Sequence, residues 1–201
     1  MDKDKPTKRT RREILQTFLA LPITLWITMC RDKSTEMLEA TQPCGDDDDI
    51  TPAQTEGPYY TPNSPQRASL LESGITGTKI VVTGVVLSTS CQPVARALVD
   101  FWHCDDNGVY DNAGYKLRGH QFTDDSGRYS LETIVPGLYP GRTRHFHVKV
   151  QAPNKPILTT QLYFPGEPSN NSDGIFSSKL LMNVQDASDG KAAKFDFVLN
   201  V

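Results

Sequence analysis

Two histidines stand at positions i and i+2 in "YPGRTRHFHV", which runs from Tyr139 to Val148. Side chains in an extended strand alternate faces, so His145 and His147 project to the same side and their ring nitrogens can converge on one metal ion. Phe146, Val148 and Val150 take the opposite face, which is apolar and anchors the strand in a core. A pair of surface histidines would have the same spacing, so other donors nearby must decide. Tyr139 lies in the turn "LYPGR" just before the pair, and Tyr110 follows another strand in "FWHCDDNGVY". A phenol titrates near pH 10 and becomes anionic at neutrality only beside a strongly cationic partner. Two tyrosines with two histidines therefore suit a hard trivalent ion such as ferric iron. Zinc more often takes cysteine, histidine and carboxylate.

The elements that must hold these residues read as β. "TKIVVTGVVL" (Thr78 to Leu87) is rich in β-branched residues, and "ALVDFWH" (Ala97 to His103) alternates. A tight turn at Asp124–Gly127 leads into a strand from Arg128 to Ile134, and "PGLYPG" breaks the chain before the histidine strand. "ILTTQLYF" (Ile157 to Phe164) and the closing "AKFDFVLNV" supply two more strands. Helical periodicity is weak, apart from a turn near Phe176–Met182. Seven or so short strands separated by turns predict an all-β, antiparallel β-sandwich with no second catalytic domain.

The start of the chain has another character. "MDKDKPTKRTRR" is basic and is followed by the apolar run Ile14 to Met29, which is interrupted by Pro22 and is short for a membrane span. Arg11 and Arg12 stand directly before that run, the pattern of a bacterial twin-arginine export signal. Residues 1–30 are accordingly expected to be a signal that sends the protein to the periplasm or outside the cell. Residues 31–54, with the acidic "GDDDDI", are expected to be a polar linker, and residues 55–201 the catalytic sandwich. "ITMC", ending at Cys30, leaves a lipid anchor open; otherwise membrane contact is expected only through the signal.

Residues 1–30 hold six of the 21 Lys and Arg and three of the 24 Asp and Glu, which leaves 15 against 21 and a formal charge of −6. That balance, without a basic patch, argues against nucleic acid as a partner. Cys91 and Cys104 flank one predicted strand, and an exported chain can close a local bridge between them. Cysteine-based zinc binding is the rival use, although no C-x-x-C spacing occurs.

Four stretches now carry a resemblance: "QTEGPYY" (Gln54 to Tyr60), "WHCDDNGVY", "LRGHQFTDDSGRYSLETIVPGLYPGRTRHFHVKV" and "TTQLYFPGE" (Thr159 to Glu167). Together, and in this order, they resemble the intradiol ring-cleavage dioxygenases, the non-haem Fe(III) family of catechol and protocatechuate dioxygenases, in its small exported form. The resemblance implies four iron ligands, Tyr110, Tyr139, His145 and His147. It implies that Arg142 and Gln161 act on the bound substrate, and that Gly57, Pro58 and Tyr59 lie near its ring. It further implies a small aromatic diol and O2 as substrates and a muconate-type dicarboxylic acid as product. Tyr110 would be the tyrosinate that leaves the metal and accepts a proton. Only two residues separate Tyr139 from Arg142, fewer than in the larger relatives. No long helical region is read before "TEGPYY", so the family's helical dimer interface is expected to be absent and the oligomeric state is open.

Two rivals remain at this point. "TDDSGRYSLETIVPGLY" also resembles transthyretin-like and carboxypeptidase-regulatory-like modules, which would be metal-free binding domains. Such a module has no need of the paired histidines, Tyr110, Arg142 or Gln161. A zinc hydrolase could instead use His103, Cys104, His145 and His147, but would leave the tyrosines unexplained. His120 is expected to be a hydrogen-bonded structural residue, His103 and Trp102 to be core or to stand behind the ligands, and Lys149 to reach solvent.

Overall fold

The structure is a computed structural model, and it describes Cys44 and residues 50–201. The expected leader, the Cys30 anchor point and most of the acidic linker lie outside the described residues. Among the described residues, no helix is long and apolar enough to cross a membrane.

Among the described residues, nine strands build two sheets. They are β1 (Lys79–Ser88), β2 (Leu98–Trp102), β3 (Arg118–Phe122), β4 (Arg128–Ile134), β5 (His145–Gln151), β6 (Leu158–Tyr163), β7 (Asn183–Ala187), β8 (Gly190–Lys194) and β9 (Phe197–Leu199). One sheet has the order β4-β1-β8-β7, with β9 also on β1; the other has the order β3-β2-β5-β6 and is wholly antiparallel. Short 3-10 turns at Pro168–Asn171 and Ser178–Leu180 follow β6.

The core forms where the inward faces of the two sheets meet. Ile80, Val82 and Val86 of β1 face Phe101 of β2, Phe146, Val148 and Val150 of β5, and Leu162 of β6, within one buried cluster. Phe146 is fully buried, which stabilises the fold by roughly 2–3 kcal/mol relative to an exposed ring. The alternation that buries Phe146 and Val148 necessarily turns His145 and His147 outward, onto the other face of the same sheet. A second, smaller aromatic cluster covers them there, made of Trp102, Cys104 and Tyr110 with Tyr59, Tyr60 and Tyr139 packed against it.

Three expectations change. The bridge between Cys91 and Cys104 does not form; Cys91 pairs with Cys44, their Cα atoms 5.4 Å apart, and Cys104 is a buried free thiol. An extended β2 lies between Cys91 and Cys104 and carries them to its opposite ends. The closing segment is two strands rather than one, and both run parallel to β1. At Gly84 a Cβ would lie 1.7 Å from the Phe195 carbonyl oxygen, so only glycine lets the chain cross there. The Asp196 carboxylate then accepts the Val85 N–H at 2.9 Å, replacing a ladder bond where β8 gives way to β9. Finally, Lys149 does not simply reach solvent. It pairs with Glu56 and stands 3.5 Å from the centre of the Tyr60 ring.

Candidate active site

Strand register sets the floor of the site. Arg118 pairs with Trp102, Trp102 with His147, and His147 with Gln161, so β3, β2, β5 and β6 each place one side chain in a row across the same face. His145 sits one step along, opposite Tyr163. The loop from Thr55 to Tyr60 passes over this row. Gly57 makes that close approach possible. It adopts φ +71°, and a Cβ there would come within 3.3 Å of His147 Cε1. Gln161 Nε2 donates to the Thr55 carbonyl at 2.9 Å, and the buried Arg118 guanidinium donates to the Tyr59 carbonyl, so the loop is tied down at both ends.

Three donor atoms meet beneath it. His145 Nε2 is 3.1 Å from His147 Nε2, which is 3.1 Å from the Tyr110 hydroxyl, and that oxygen is 3.4 Å from His145 Nε2. Atoms bound to a common ion at about 2.1 Å, with angles of about 90–110°, stand about 3.0–3.4 Å apart, so the triangle fits one metal ion. The tautomer of His145 suits it too. Its Nδ1–H donates to the Thr143 carbonyl at 2.6 Å, which leaves the Nε2 lone pair directed at the other donors. The His147 ring lies flat on Trp102, with centroids 4.9 Å apart and planes 9° from parallel, and its buried Nδ1 has no protein partner.

Burial tunes all three groups. It lowers His145 to about 4 and His147 well below its ordinary value, so both imidazoles stay neutral and able to bind metal. Burial, with a smaller contribution from Cys104, raises Tyr110 well above an ordinary phenol. Without a cation Tyr110 is therefore a neutral phenol, and its use as an anionic ligand requires a strongly charged ion. Two neutral imidazoles and a phenol, with no carboxylate or thiol among them, make a donor set for a hard, highly charged metal.

Tyr139 stands beside this triangle. Its ring is 5.8 Å from that of Tyr110 and edge-on to it, and its hydroxyl shares a 2.8 Å hydrogen bond with Tyr59. Tyr59 in turn stacks on Tyr110 at 4.5 Å. Pro58 is on the exposed side of the same loop. Arg142 donates from Nε to Asp173 at 2.8 Å and from Nη2 to Gln161 Oε1 at 2.7 Å. A cleft of about 350 Å³, lined by Leu138, Tyr139, Arg142, Ser169 and Ser172, opens alongside.

The zinc arrangement is not assembled. His103 Nδ1–H donates to the Cys104 carbonyl at 2.7 Å, its Nε2 accepts from the Thr133 hydroxyl at 2.7 Å, and its ring packs edge-on against Phe146 in the core. Both of its nitrogens are thus occupied. Among the described residues, no group of three His, Cys, Asp or Glu could hold a metal ion. His120 is structural as expected, bonded at Nδ1 to Ser64 at 3.1 Å. Sequence reasoning missed Asp173, Tyr163 and Arg118. Arg118 carried a readable signal, an arginine beside the strand-like "GHQF", whereas Asp173 sits in a polar loop and carried none.

A family model described as Dioxygenase matches residues 55–201, the whole sandwich and the loop over it. The chain belongs to the intradiol ring-cleavage dioxygenase family. It is 31% identical over 151 residues to a catechol 1,2-dioxygenase of Candida albicans, covering 61% of this chain and 50% of that one. It is 30% identical over 167 residues to a hydroxyquinol 1,2-dioxygenase of a Rhizobium species, covering 69% and 56%. The chain thus spans about half the length of the curated relatives it matches. Among solved structures it is similar to the dioxygenase domain of a dioxygenase–carbohydrate-binding fusion from Streptomyces sp. SirexAA-E. That likeness has 56% identity and a TM-score of 0.75, and covers 76% of this chain and 99% of the other. A 3-chlorocatechol 1,2-dioxygenase from Rhodococcus opacus 1CP is similar at 26% identity with a TM-score of 0.69, covering 75% and 72%.

Proposed function

We propose that this protein opens the aromatic ring of catechol-type diols between the two hydroxyl-bearing carbons, adding both atoms of O2 to give a muconate-type dicarboxylic acid. The metal is non-haem Fe(III), held by His145, His147, Tyr110 and Tyr139. The observation that carries the reading is the triangle of two neutral imidazole nitrogens and one buried phenol oxygen, with Arg142 and Gln161 beside it. Bound ferric iron would supply the positive charge that keeps phenol and diol oxygens anionic and prepares the ring for O2.

The remaining work falls to the chain's own residues. The diol approaches along the cleft beside Tyr139 and Arg142 and gives up its two protons as it binds, one to a tyrosine and the other to solvent. The resemblance casts Tyr110 as the tyrosine that accepts one of them. The geometry favours Tyr139 for that role. The Tyr110 oxygen is part of the triangle and its ring is pinned beneath Tyr59, whereas the half-buried Tyr139 already turns its hydroxyl to Tyr59. Tyr139 oxygen thus takes the proton, and the Tyr59 hydroxyl holds it in its displaced position. The Arg142 guanidinium faces the negative charge that develops on the opening ring, and Gln161 fixes the guanidinium's orientation. Trp102 and Tyr60 close the side wall and limit water. The leader pattern at Arg11–Arg12 supports export of a folded, metal-loaded enzyme, and residues 55–201 act as its catalytic unit.

Purified protein tests the reading directly. Metal analysis should give about one iron per chain, with a visible absorption band that shifts when catechol is added without O2. Oxygen uptake should then match the diol consumed, one to one. A colourless protein, or iron without that band, would sink the ligand assignment.

A further inference from the structure

The structure assigns Asp173 as a positioning residue that holds Arg142 and the backbone before His145 in one geometry. The carboxylate is buried, with its side chain 2% exposed, in the loop after the 3-10 turn Pro168–Asn171. One oxygen, Oδ2, accepts both the Arg142 Nε–H at 2.8 Å and the Thr143 backbone N–H at 2.9 Å. The other, Oδ1, accepts the Ile175 N–H at 3.1 Å. Burial alone would raise this carboxyl, but the Thr143 and Ile175 N–H groups and the Arg142 guanidinium outweigh it, and the group sits below its ordinary value.

Two lines of control leave this one side chain. The first runs through the guanidinium. Asp173 takes its Nε–H and Gln161 takes an Nη2–H, so the fork is gripped at two points and its plane is set. A floppy arginine would have to be ordered during the reaction; a gripped one is ordered beforehand. The second line runs through Thr143. Its N–H is held by Asp173 and its carbonyl accepts from His145 Nδ1 at 2.6 Å, so the same carboxylate braces the residue that sets the histidine's tautomer. Asn170 strengthens the brace, accepting the Thr143 hydroxyl at 2.6 Å while donating to the Phe164 carbonyl at 2.9 Å.

The kinetic arm of the test rests on the ring-cleavage reading, so a second arm is independent of turnover. In metal-free protein, the Arg142 Nε–H should give a slowly exchanging 15N–1H NMR signal, assigned by its loss in Arg142→Gln. It should disappear or exchange at least about tenfold faster in Asp173→Asn. A wild-type protein with no protected Arg142 Nε–H would overturn the proposal whatever the variant does. In the iron-loaded enzyme, Asp173→Asn should lower kcat by about 10–100-fold and change KM by less than about threefold. In an Arg142→Gln background the same substitution should cost less than about threefold, because the route through the guanidinium is already cut and only the brace on Thr143 is left to lose. A full, independent loss in that background would overturn the hold on Arg142 and leave Asp173 acting only through the Thr143 backbone and the fold. A wild type that binds iron but leaves catechol intact would refute ring cleavage, while the NMR arm would still decide the role of Asp173.

Discussion

Acid should unfold this protein partly through His103, a histidine outside the triangle of His145, His147 and Tyr110. Its ring is fully enclosed between β2 and the core, with Nδ1–H on the Cys104 carbonyl and Nε2 accepting from Thr133. Burial, the dominant cause, lowers it from 6.5 to about 4. The sign follows from which state binds the proton. Between those two values the unfolded chain takes up a proton that the folded chain refuses, so stability is complete above about pH 6.5 and falls as pH drops toward 4. At about 1.4 kcal/mol per pH unit, the loss from this one group is about 2 kcal/mol between pH 7.5 and pH 5. That is a large share of a typical domain stability of about 5–15 kcal/mol. Urea unfolding of wild type and His103→Gln at both pH values isolates it. The variant should be weaker at pH 7.5, because it loses the fit to Thr133, yet the gap should close by about 2 kcal/mol at pH 5. The other histidines contribute equally to both proteins and cancel. An unchanged gap, or a His103 NMR titration near 6.5, would refute the reasoning.

Three further outcomes are expected. Gly57→Ala should destabilise the protein by about 1–2 kcal/mol and weaken iron binding, since φ +71° and a Cβ 3.3 Å from His147 Cε1 both oppose it; calorimetry and metal titration would read this. Cys44→Ser should lower stability by about 2–4 kcal/mol, because the bridge to Cys91 closes a sequence separation of 47 residues; urea unfolding compared with the reduced wild type should give the same loss. Trp102 lies flat on the His147 ring, so in a Trp26→Phe background, where it is the remaining tryptophan, iron loading should quench at least about half of the intrinsic fluorescence. Emission unchanged by a stoichiometric metal load would contradict the placement of His147 at the metal.

What the chain shows in advance is whatever rests on local period. Alternation in "RHFHVKV" separates the histidines from Phe146 and Val148, and the folded β5 keeps that division. The turn at Asp124–Gly127 is equally local, because the Asp124 carboxylate accepts the Ser126 and Arg128 N–H groups within the same few residues. β3, β7 and β8 escape the same reading. "RGHQF", "NVQDA" and "GKAAK" lack a clean apolar alternation and become strands because neighbouring strands offer ladder partners.

The site divides along the same line. His145, His147, Tyr110, Arg142 and Gln161 could be named from spacing and resemblance, yet what each of them does depends on contacts that no spacing encodes. The Tyr139 hydroxyl meets Tyr59 from 80 residues away, and Arg142 meets Asp173 from 31. In the sequence, Asp173 in "NNSDG" is indistinguishable from a solvated loop carboxylate such as Asp125 in "TDDSG". The fold separates them by burying one against a guanidinium and leaving the other in water. Residue type and spacing are thus local properties of this chain, whereas the different settings of Tyr110 and Tyr139 come from tertiary partners. Tyr59 makes the difference, stacking on the Tyr110 ring while its hydroxyl bonds that of Tyr139, and on that contrast rests the proposal that Tyr139 is the tyrosine that takes the proton.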